Sequence, residues 1–396
     1  MVQKQSVFWA HNSAVEYYLH TVGVVGSNPA APTSFIGASL MPEATLFGIP
    51  DAGEHATFEI FSVPFDATAS YRRGTAHGPQ ALLEASSQVD LYDMDFGGVW
   101  QSGFHSYPVS QEILERNRES RELVDRIRNA NDDDFHVHLM CSHVNKLTAS
   151  NNRAVYEFSL SALSQHKIPV VLGGDHSVPL GSYKAMDRQF GGHWGILHID
   201  AHCDLRAAYQ GFSDSHASIM HNALRDCPGL MRLCQVAIRD FCEEELQTIK
   251  ASNHRVLTFF DSVLQAALLK GTFSGLCQHI VDCLPQYVYL SVDIDGFDPA
   301  LCPNTGTPVP GGLQLAQFTC LLRALVASGK QIIGLDLCEV APAASYIESA
   351  TLGASFDASV GARVLYKMMG AAQRTLPNQS CTATHLPHPN GIEKFL

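Results

Sequence analysis

Three apolar, strand-like runs in this 396-residue chain close on acidic and imidazole side chains, and that repetition constrains the fold more than any other feature. Trp194 to Leu197 leads into His198-Ile199-Asp200-Ala201-His202-Cys203-Asp204. Val170-Val171-Leu172 leads into Gly173-Gly174-Asp175-His176-Ser177, and Tyr289-Leu290-Ser291-Val292 leads into Asp293-Ile294-Asp295. Alternate residues of a strand face the same side, so Asp200, His202 and Asp204 converge on one point while Ala201 and Cys203 turn away. Cys203 is accordingly a packed core thiol, and His198, two residues earlier and deeper in the sheet, is a hydrogen-bonded structural histidine. An isolated D-x-H-x-D is equally compatible with a solvated strand end. Three strands that each deliver such residues at their carboxyl ends favour a metal site.

The remaining sequence agrees with a parallel α/β architecture. From residue 155 onward, apolar strands (Ile168 to Leu172, Trp194 to Ile199, Leu233 to Ile238, Arg255 to Phe260, Tyr287 to Val292, Gln331 to Leu335) alternate with helical stretches, after a first strand at Thr57 to Val63 and a helix at Gln80 to Ser87. The helices are expected at Val155 to Gln165, Pro179 to Phe190, His216 to Arg225, Glu243 to Ala251, in two stretches up to Leu284, at Leu315 to Ser328 and at Ser355 to Met369. Such alternation predicts a mostly parallel sheet covered on both faces, with ligands bound outside the carboxyl ends of its strands. The connection between Asp95 and Asn151 carries a charged helix, Gln111 to Arg128, and a weakly patterned piece, Asp132 to Thr148. The helix is expected to cover a sheet edge or to form a subunit contact.

Residues 1–40 have turn-rich, aperiodic composition and are expected to be disordered or to lie outside the true protein. Gly26-Ser27-Asn28-Pro29 back-translates to a sequence common in the T arm of tRNA genes, which suggests a start near Met41. One catalytic domain is expected over 41–375, followed by a tail at 376–396.

With 46% hydrophobic residues, 16% charged residues and no apolar run near the ~18 residues of a membrane span, the chain is expected to be soluble. A net charge of −13 disfavours nucleic acid and anionic membrane surfaces as partners and suits cations. The eleven cysteines form no C-x-x-C pair and follow no secretory signal, as expected for reduced thiols in a cytoplasmic protein. His176 and His202 with four carboxylates make an oxygen-rich donor set better matched to manganese, iron or nickel than to a thiolate zinc site. Two divalent ions, bridged by carboxylates such as Asp200 and Asp293 at a separation of ~3.5–4 Å, lower the pKa of a shared water.

The stretches Gly173 to Ser177, Asp200 to Asp204 and Ser291-Val292-Asp293-Ile294-Asp295-Gly296-Phe297-Asp298-Pro299 together resemble the ureohydrolase family of arginase and agmatinase in order and spacing. The resemblance runs from about Phe58 to Gly370 and takes in Asn304-Thr305-Gly306-Thr307-Pro308 and Asp336-Leu337-Cys338-Glu339-Val340-Ala341-Pro342. It implies a three-layer αβα arginase-type fold, two Mn2+ ions per chain and hydrolysis of a guanidino carbon to urea and an amine. It further implies that His176, Asp200, Asp204 and Asp293 hold one ion and that His202, Asp200, Asp293 and Asp295 hold the other. On the same basis Asp204 orients the bridging hydroxide, Glu339 binds the guanidinium, Thr307 lines the pocket and His216 moves protons. The family also suggests a homotrimer or homohexamer.

The loop Leu205 to Ser215 departs from the familiar arginase and agmatinase patterns. Arg206 stands near the position of an arginase asparagine, and Ala217 follows His216 where better-known members have glycine. A cation there disfavours arginine, and repels the ammonium tail of agmatine unless Asp214 pairs with it. Tyr209 and Phe212 are expected to close a small pocket. The loop looks similar to members that hydrolyse compact guanidino compounds, including free guanidine, and that use Ni2+. Agmatine or a guanidino acid is the alternative substrate. The six-residue ligand set argues against the single-zinc deacetylases that share the fold, and the retained ligands and Glu339 argue against a non-catalytic binding relative.

Overall fold

The computed structural model describes residues 45–130 and 135–377. The alternating runs build an eight-stranded sheet in which every pairing is parallel. Its strands are β1 (Phe58–Val63), β2 (Phe104–Ser106), β3 (Ile168–Gly173), β4 (Trp194–Ile199), β5 (Leu230–Ile238), β6 (Val256–Phe260), β7 (Tyr287–Asp293) and β8 (Gln331–Cys338). They lie in the order β2-β1-β3-β8-β7-β4-β5-β6. The four strands that carry the site motifs, β3, β8, β7 and β4, are therefore adjacent at the centre, where their side chains are buried almost throughout. Burial on both faces is what selects their near-continuous Val, Ile and Leu content.

Parallel strands need crossovers, and helices supply them. These are α1 (Gly78–Ser86), α2 (Gln111–Arg128), α3 (Phe135–Ser164), α4 (Leu180–Phe190), α5 (Ile219–Asp226), α6 (Glu243–Ala251), α7 (Asp261–Leu269), α8 (Phe273–Asp282), α9 (Leu315–Ala327), α10 (Ala344–Glu348) and α11 (Phe356–Arg374). One apolar cluster joins a sheet face to α1, α7, α8, α9 and α11, with Leu82, Leu264, Ile280, Leu321 and Leu365 among its buried residues. Another joins the opposite face to α3, α4 and α5, through Leu163, Met186 and Met220. The result is the expected three-layer αβα arrangement.

Several local expectations need correction. β2 was not anticipated, because three residues are too few for an alternation to register. The helix expected at Val155 to Gln165 starts earlier and takes in most of the weakly patterned piece, as α3 (Phe135–Ser164), since Asn151 and Asn152 are buried there and α3 packs along α4. The chain after Ser215 first makes a 3₁₀ turn, His216–Ser218, before α5 begins. Helix α2 has the expected bounds and buries Ile113, Asn117, Ser120 and Val124, spaced four, three and four residues apart. It does more than cover an edge: Arg121 Nη2 donates to Asp66 Oδ2 at 2.7 Å, and Arg73 pairs with Asp125, so α2 braces the loop that follows β1. The expectations for residues 1–40 and for the tail from 378 lie outside the described residues. Among the described residues no helix is long and apolar enough to cross a membrane.

Candidate active site

The strand order brings the six proposed ligand residues together at the carboxyl edge of the sheet. His176 follows β3, Asp200, His202 and Asp204 follow β4, and Asp293 and Asp295 close β7. His176 Nδ1 lies 3.2 Å from Asp200 Oδ2, 3.3 Å from Asp204 Oδ2 and 3.5 Å from Asp293 Oδ2. His202 Nδ1 lies 3.1 Å from Asp295 Oδ2 and 3.5 Å from Asp200 Oδ1. Asp200 therefore offers one oxygen to each histidine, the arrangement a bridging carboxylate requires. Ligand atoms of His176, Asp200 and Asp204, and separately of Asp200, His202 and Asp295, all fall within 4.8 Å of one another. Asp204 adopts a left-handed backbone conformation (φ 55°), which tilts its side chain back into the cluster and which aspartate tolerates better than most residues.

A layer of partners behind each histidine sets which nitrogen faces the cluster. His176 Nε2 lies 3.0 Å from Ser291 Oγ, and Ser291 Oγ donates to Asp336 Oδ1 at 3.1 Å, while Tyr183 donates to Asp336 Oδ2 at 3.2 Å. This acidic support takes the proton-bearing Nε2 and leaves Nδ1 for a cation. His198 also falls inside the donor cluster, but both its nitrogens are engaged. Thr258 donates to Gln235 Oε1 at 3.0 Å, which turns the Gln235 amide nitrogen toward the Cys203 carbonyl (2.7 Å) and His198 Nδ1 (3.2 Å). His198 Nε2–H then donates to Asp200 Oδ2 at 2.8 Å, so the ring is taken up in supporting Asp200. Cys203 points away into the apolar cluster, as alternation required.

The electrostatics describe a cluster short of cations. Burial, then the Asp200 charge, push the Asp204 carboxyl up to about 7. Burial, then Asp295 and Asp200, raise Asp293 well above the usual carboxylate range. Burial opposes the charge on Asp200, but His198, His176 and His202 outweigh it and hold Asp200 well below that range. Burial likewise opposes a charged His176, and Asp200, Asp204 and Asp336 reverse the outcome. Carboxylates crowded into low dielectric and forced toward neutrality are the donor chemistry that divalent ions relieve. The described residues thus hold a buried His/Asp cluster able to bind metal.

Beside the cluster, Glu339 follows β8 in a left-handed conformation (φ 62°). Its main chain is tied to Gly174 and Thr305, and Oε1 accepts from the His176 amide at 3.1 Å. Oε2 is buried and has no hydrogen-bond partner. A Cβ on Gly306 would come within 3.0 Å of Oε2, so glycine keeps that oxygen open. Burial, then Asp175 and Asp295, raise the Glu339 carboxyl well above its ordinary value. Thr307 donates to Asp295 Oδ2 at 3.2 Å and lines the adjoining cleft, of about 290 Å³, together with His202, Asp204, Arg206, Tyr209 and His216.

His216 stands on the opposite wall. Its Nδ1 is 3.4 Å from Thr68 Oγ1 and its Nε2 is 3.3 Å from Ser70 Oγ, while Thr68 Oγ1 donates to the buried Asp175 at 2.7 Å. Burial, with His202 and His176 nearby, pushes the His216 imidazole down to about 3, so it is neutral at physiological pH. Sequence reasoning missed Thr68, Ser70, Asp175, Ser291, Asp336 and Gln235. Asp175, Ser291 and Asp336, embedded in the quoted motifs, left a local signal.

The tail loop differs from expectation. Arg206 does not pair with Asp214. Its guanidinium lies over the Tyr209 ring (4.9 Å to the centroid), and its Nε is 3.8 Å from Glu245 Oε2. Asp214 is turned toward Ser213 and α3. Phe212 does not cap the cleft, being buried among Val124, Val137, Cys141 and Val144.

A three-layer parallel sheet with paired imidazoles and carboxylates at its central strand ends defines a hydrolase-type scaffold, and comparison with known proteins is specific. The sequence profile of the Arginase family matches residues 56–370. The chain belongs to the arginase family of ureohydrolases, hydrolases acting on C–N bonds of linear amidines. It is 30% identical over 315 residues to the N(1)-aminopropylagmatine ureohydrolase of Synechocystis sp., covering 80% of this chain and 89% of that relative. It is 32% identical over 295 residues to the agmatinase of Proteus mirabilis, covering 73% and 80%. The agmatine ureohydrolase structure of Thermoplasma volcanium superposes with a TM-score of 0.63 at 23% identity, over 85% of this chain and 96% of that one, a likeness of fold.

Proposed function

We propose that this chain hydrolyses a compact guanidino compound, with free guanidine as the preferred substrate, yielding urea and ammonium from guanidinium and water. The observation that carries the guanidino assignment is Glu339, a buried carboxylate whose unpartnered oxygen lies against Gly306, next to the cleft-lining Thr307. A planar cation with several N–H donors satisfies such an oxygen and holds the carboxylate ionised. The narrower choice rests on Arg206. Stacked on Tyr209 and beside Glu245, it sets a fixed cation in the cleft wall, and Glu245 already accepts from the Leu205 and Cys242 amides, leaving it little capacity for an ammonium tail.

His176, Asp200, Asp204, Asp293, His202 and Asp295 would hold two divalent ions, Ni2+ if guanidine is the substrate and Mn2+ by family likeness. Bound there, they supply a water activated at neutral pH and positive charge for the developing oxyanion. The chain's own residues do the rest. Glu339 and Thr307 orient the guanidinium plane, and Asp204 Oδ2 holds the attacking water by hydrogen bonding. Neutral His216, reachable from the cleft and seated between Thr68 and Ser70, accepts a proton at Nε2 and delivers it to the departing nitrogen.

A second reading, an agmatinase or aminopropylagmatine-type hydrolase, is favoured by Asp240, whose exposed carboxylate lines the same cleft, and by the names of the relatives. Separate manganese and nickel preparations, incubated with guanidine, agmatine, guanidinobutyrate and arginine and assayed for urea, decide between them. Guanidine should be fastest in the nickel form, and strong arginine turnover would overturn the ordering. The catalytic domain is placed at 41–375, in a cytoplasmic trimer or hexamer that engages neither nucleic acid nor membrane. A monomer mass by light scattering would refute the assembly.

A further inference from the structure

We infer that Phe212 is a specificity-positioning residue, and that helices α2 and α3 act through it as a clamp on the wall of the cleft that meets the substrate tail. This rests on the functional reading above in one respect, that the loop 205–215 faces the part of the substrate beyond the guanidinium.

Phe212 is 2% exposed and sits between Val124 of α2 and Val137, Cys141 and Val144 of α3. The turn it ends is closed. Tyr209 and Phe212 exchange both main-chain hydrogen bonds at 2.9 Å, and Gln210 (φ 50°) and Gly211 (φ 88°) form the left-handed pair of a tight two-residue hairpin. Fixing Phe212 therefore fixes Tyr209, three residues away. A Cβ on Gly211 would approach Cys141 Sγ to 3.0 Å, so the turn lies directly against α3. Arg128 of α2 donates to Gln210 Oε1 at 3.3 Å, and the Asp214 amide donates to Asn145 Oδ1 of α3 at 3.4 Å.

Tyr209 carries the consequence into the cleft. Its ring is the platform for Arg206 and meets the His216 ring edge-on at 6.1 Å. The ligand cluster and Glu339 are anchored instead from the sheet, by the His198, Gln235 and Asp336 network and by Gly174. Loosening the clamp thus frees the tail wall while the ligand cluster and Glu339 keep their supports. Helices α2 and α3 set which tails fit, and they leave that cluster and Glu339 alone.

The test uses the metal-loaded full chain as wild type, Phe212→Ala, Phe212→Leu, Arg128→Gln and, as control, Arg118→Ala, whose exposed side chain pairs only along its own helix with Glu122. Phe212→Ala should leave KM for guanidine within about twofold and, by letting Arg206 move from the tail wall, raise kcat/KM for agmatine so that the guanidine-to-agmatine ratio falls roughly tenfold. Its kcat should stay within about twofold of wild type, with unchanged metal content. Phe212→Leu should restore most of the preference, Arg128→Gln should move it in the same direction as alanine, and the control should not move it. Amide exchange should quicken across 205–215 in Phe212→Ala and Arg128→Gln but not in β4. Unchanged substrate ratios in both variants, an equal loss of kcat on every substrate, or unchanged loop exchange would overturn the inference. If wild type releases urea from none of the four compounds, the proposed function fails, and loop exchange still decides whether the clamp exists.

Discussion

Replacing Glu339 with glutamine should damage catalysis and stabilise the metal-free fold, two opposite effects from one atom. The Glu339 side chain is buried, Oε1 accepts from the His176 amide, and Oε2 is orphaned. Glutamine keeps the first bond through its carbonyl and puts an N–H₂ where the guanidinium also presents donors. Loss of one partner from a buried, charge-assisted pair is worth about 3 kcal/mol or more. Urea assays should then show kcat/KM falling at least roughly 100-fold. Stability runs the other way, because the folded carboxyl is raised above its ordinary value of 4.5 and the folded state therefore favours the protonated form. Below that value glutamate gains nothing and loses nothing relative to glutamine. Above it, ionisation in the unfolded chain draws the equilibrium away from the fold by up to about 1.4 kcal/mol per pH unit, until the folded pKa is passed. Urea denaturation of chelator-treated proteins should thus give the glutamine variant an advantage that is absent near pH 4, grows with pH and then levels off. A kcat/KM within tenfold of wild type would refute Glu339 as the guanidinium partner. A less stable variant at pH 7 would refute the cost assigned to the orphaned oxygen.

Other outcomes follow from the same geometry. Active protein should contain two divalent ions per chain by elemental analysis, and Asp200→Asn should lose both metal and urea release, since its amide nitrogen would replace one of the two oxygens and face the donor of either His198 or the His202 amide. Retention of both ions by that variant would rule out the bridging role. Metal loading should release protons in lightly buffered solution, because the Asp204 carboxyl is pushed up to about 7 and Asp293 is raised well above the usual carboxylate range, and affinity should weaken as pH falls below about 7. Calorimetry in buffers of different ionisation enthalpy measures this, and no proton release near neutrality would contradict it. Arg121→Ala should destabilise the fold by roughly 2 kcal/mol, because fully buried Asp66 loses its counter-ion while Arg121 is only partly buried. A shift in denaturation free energy under about 0.5 kcal/mol would show that the Gly74 and Ala76 amides suffice for Asp66.

Much of the site could be read from local pattern. The period of two assigned Asp200 and His202 to one face and Cys203 to the other, although β4 ends at Ile199 and Asp204 reaches the cluster through a left-handed backbone conformation instead, and the parallel α/β alternation placed all such residues at one edge of the sheet. What local pattern does not encode is which strands become neighbours. The order β3-β8-β7-β4 brings His176, Glu339, Asp293 and Asp200 together across more than a hundred residues of chain, and it supplies Ser291 and Asp336 behind His176, where Tyr183 of α4 joins them. Arg206 illustrates the limit: its charge could be read, but its partner is Glu245 and not the nearby Asp214. Phe212 is the clearest case. An aromatic residue in a loop beside a cleft suggests a lid, and only the packing of α2 on α3 offers it a better place to leave water. The sequence by itself determined the layered class and the candidate ligand residues, because the first follows from short periods along the chain and the second from motifs short enough to read locally. The tertiary structure decided partners and side-chain direction, because those depend on which surfaces meet.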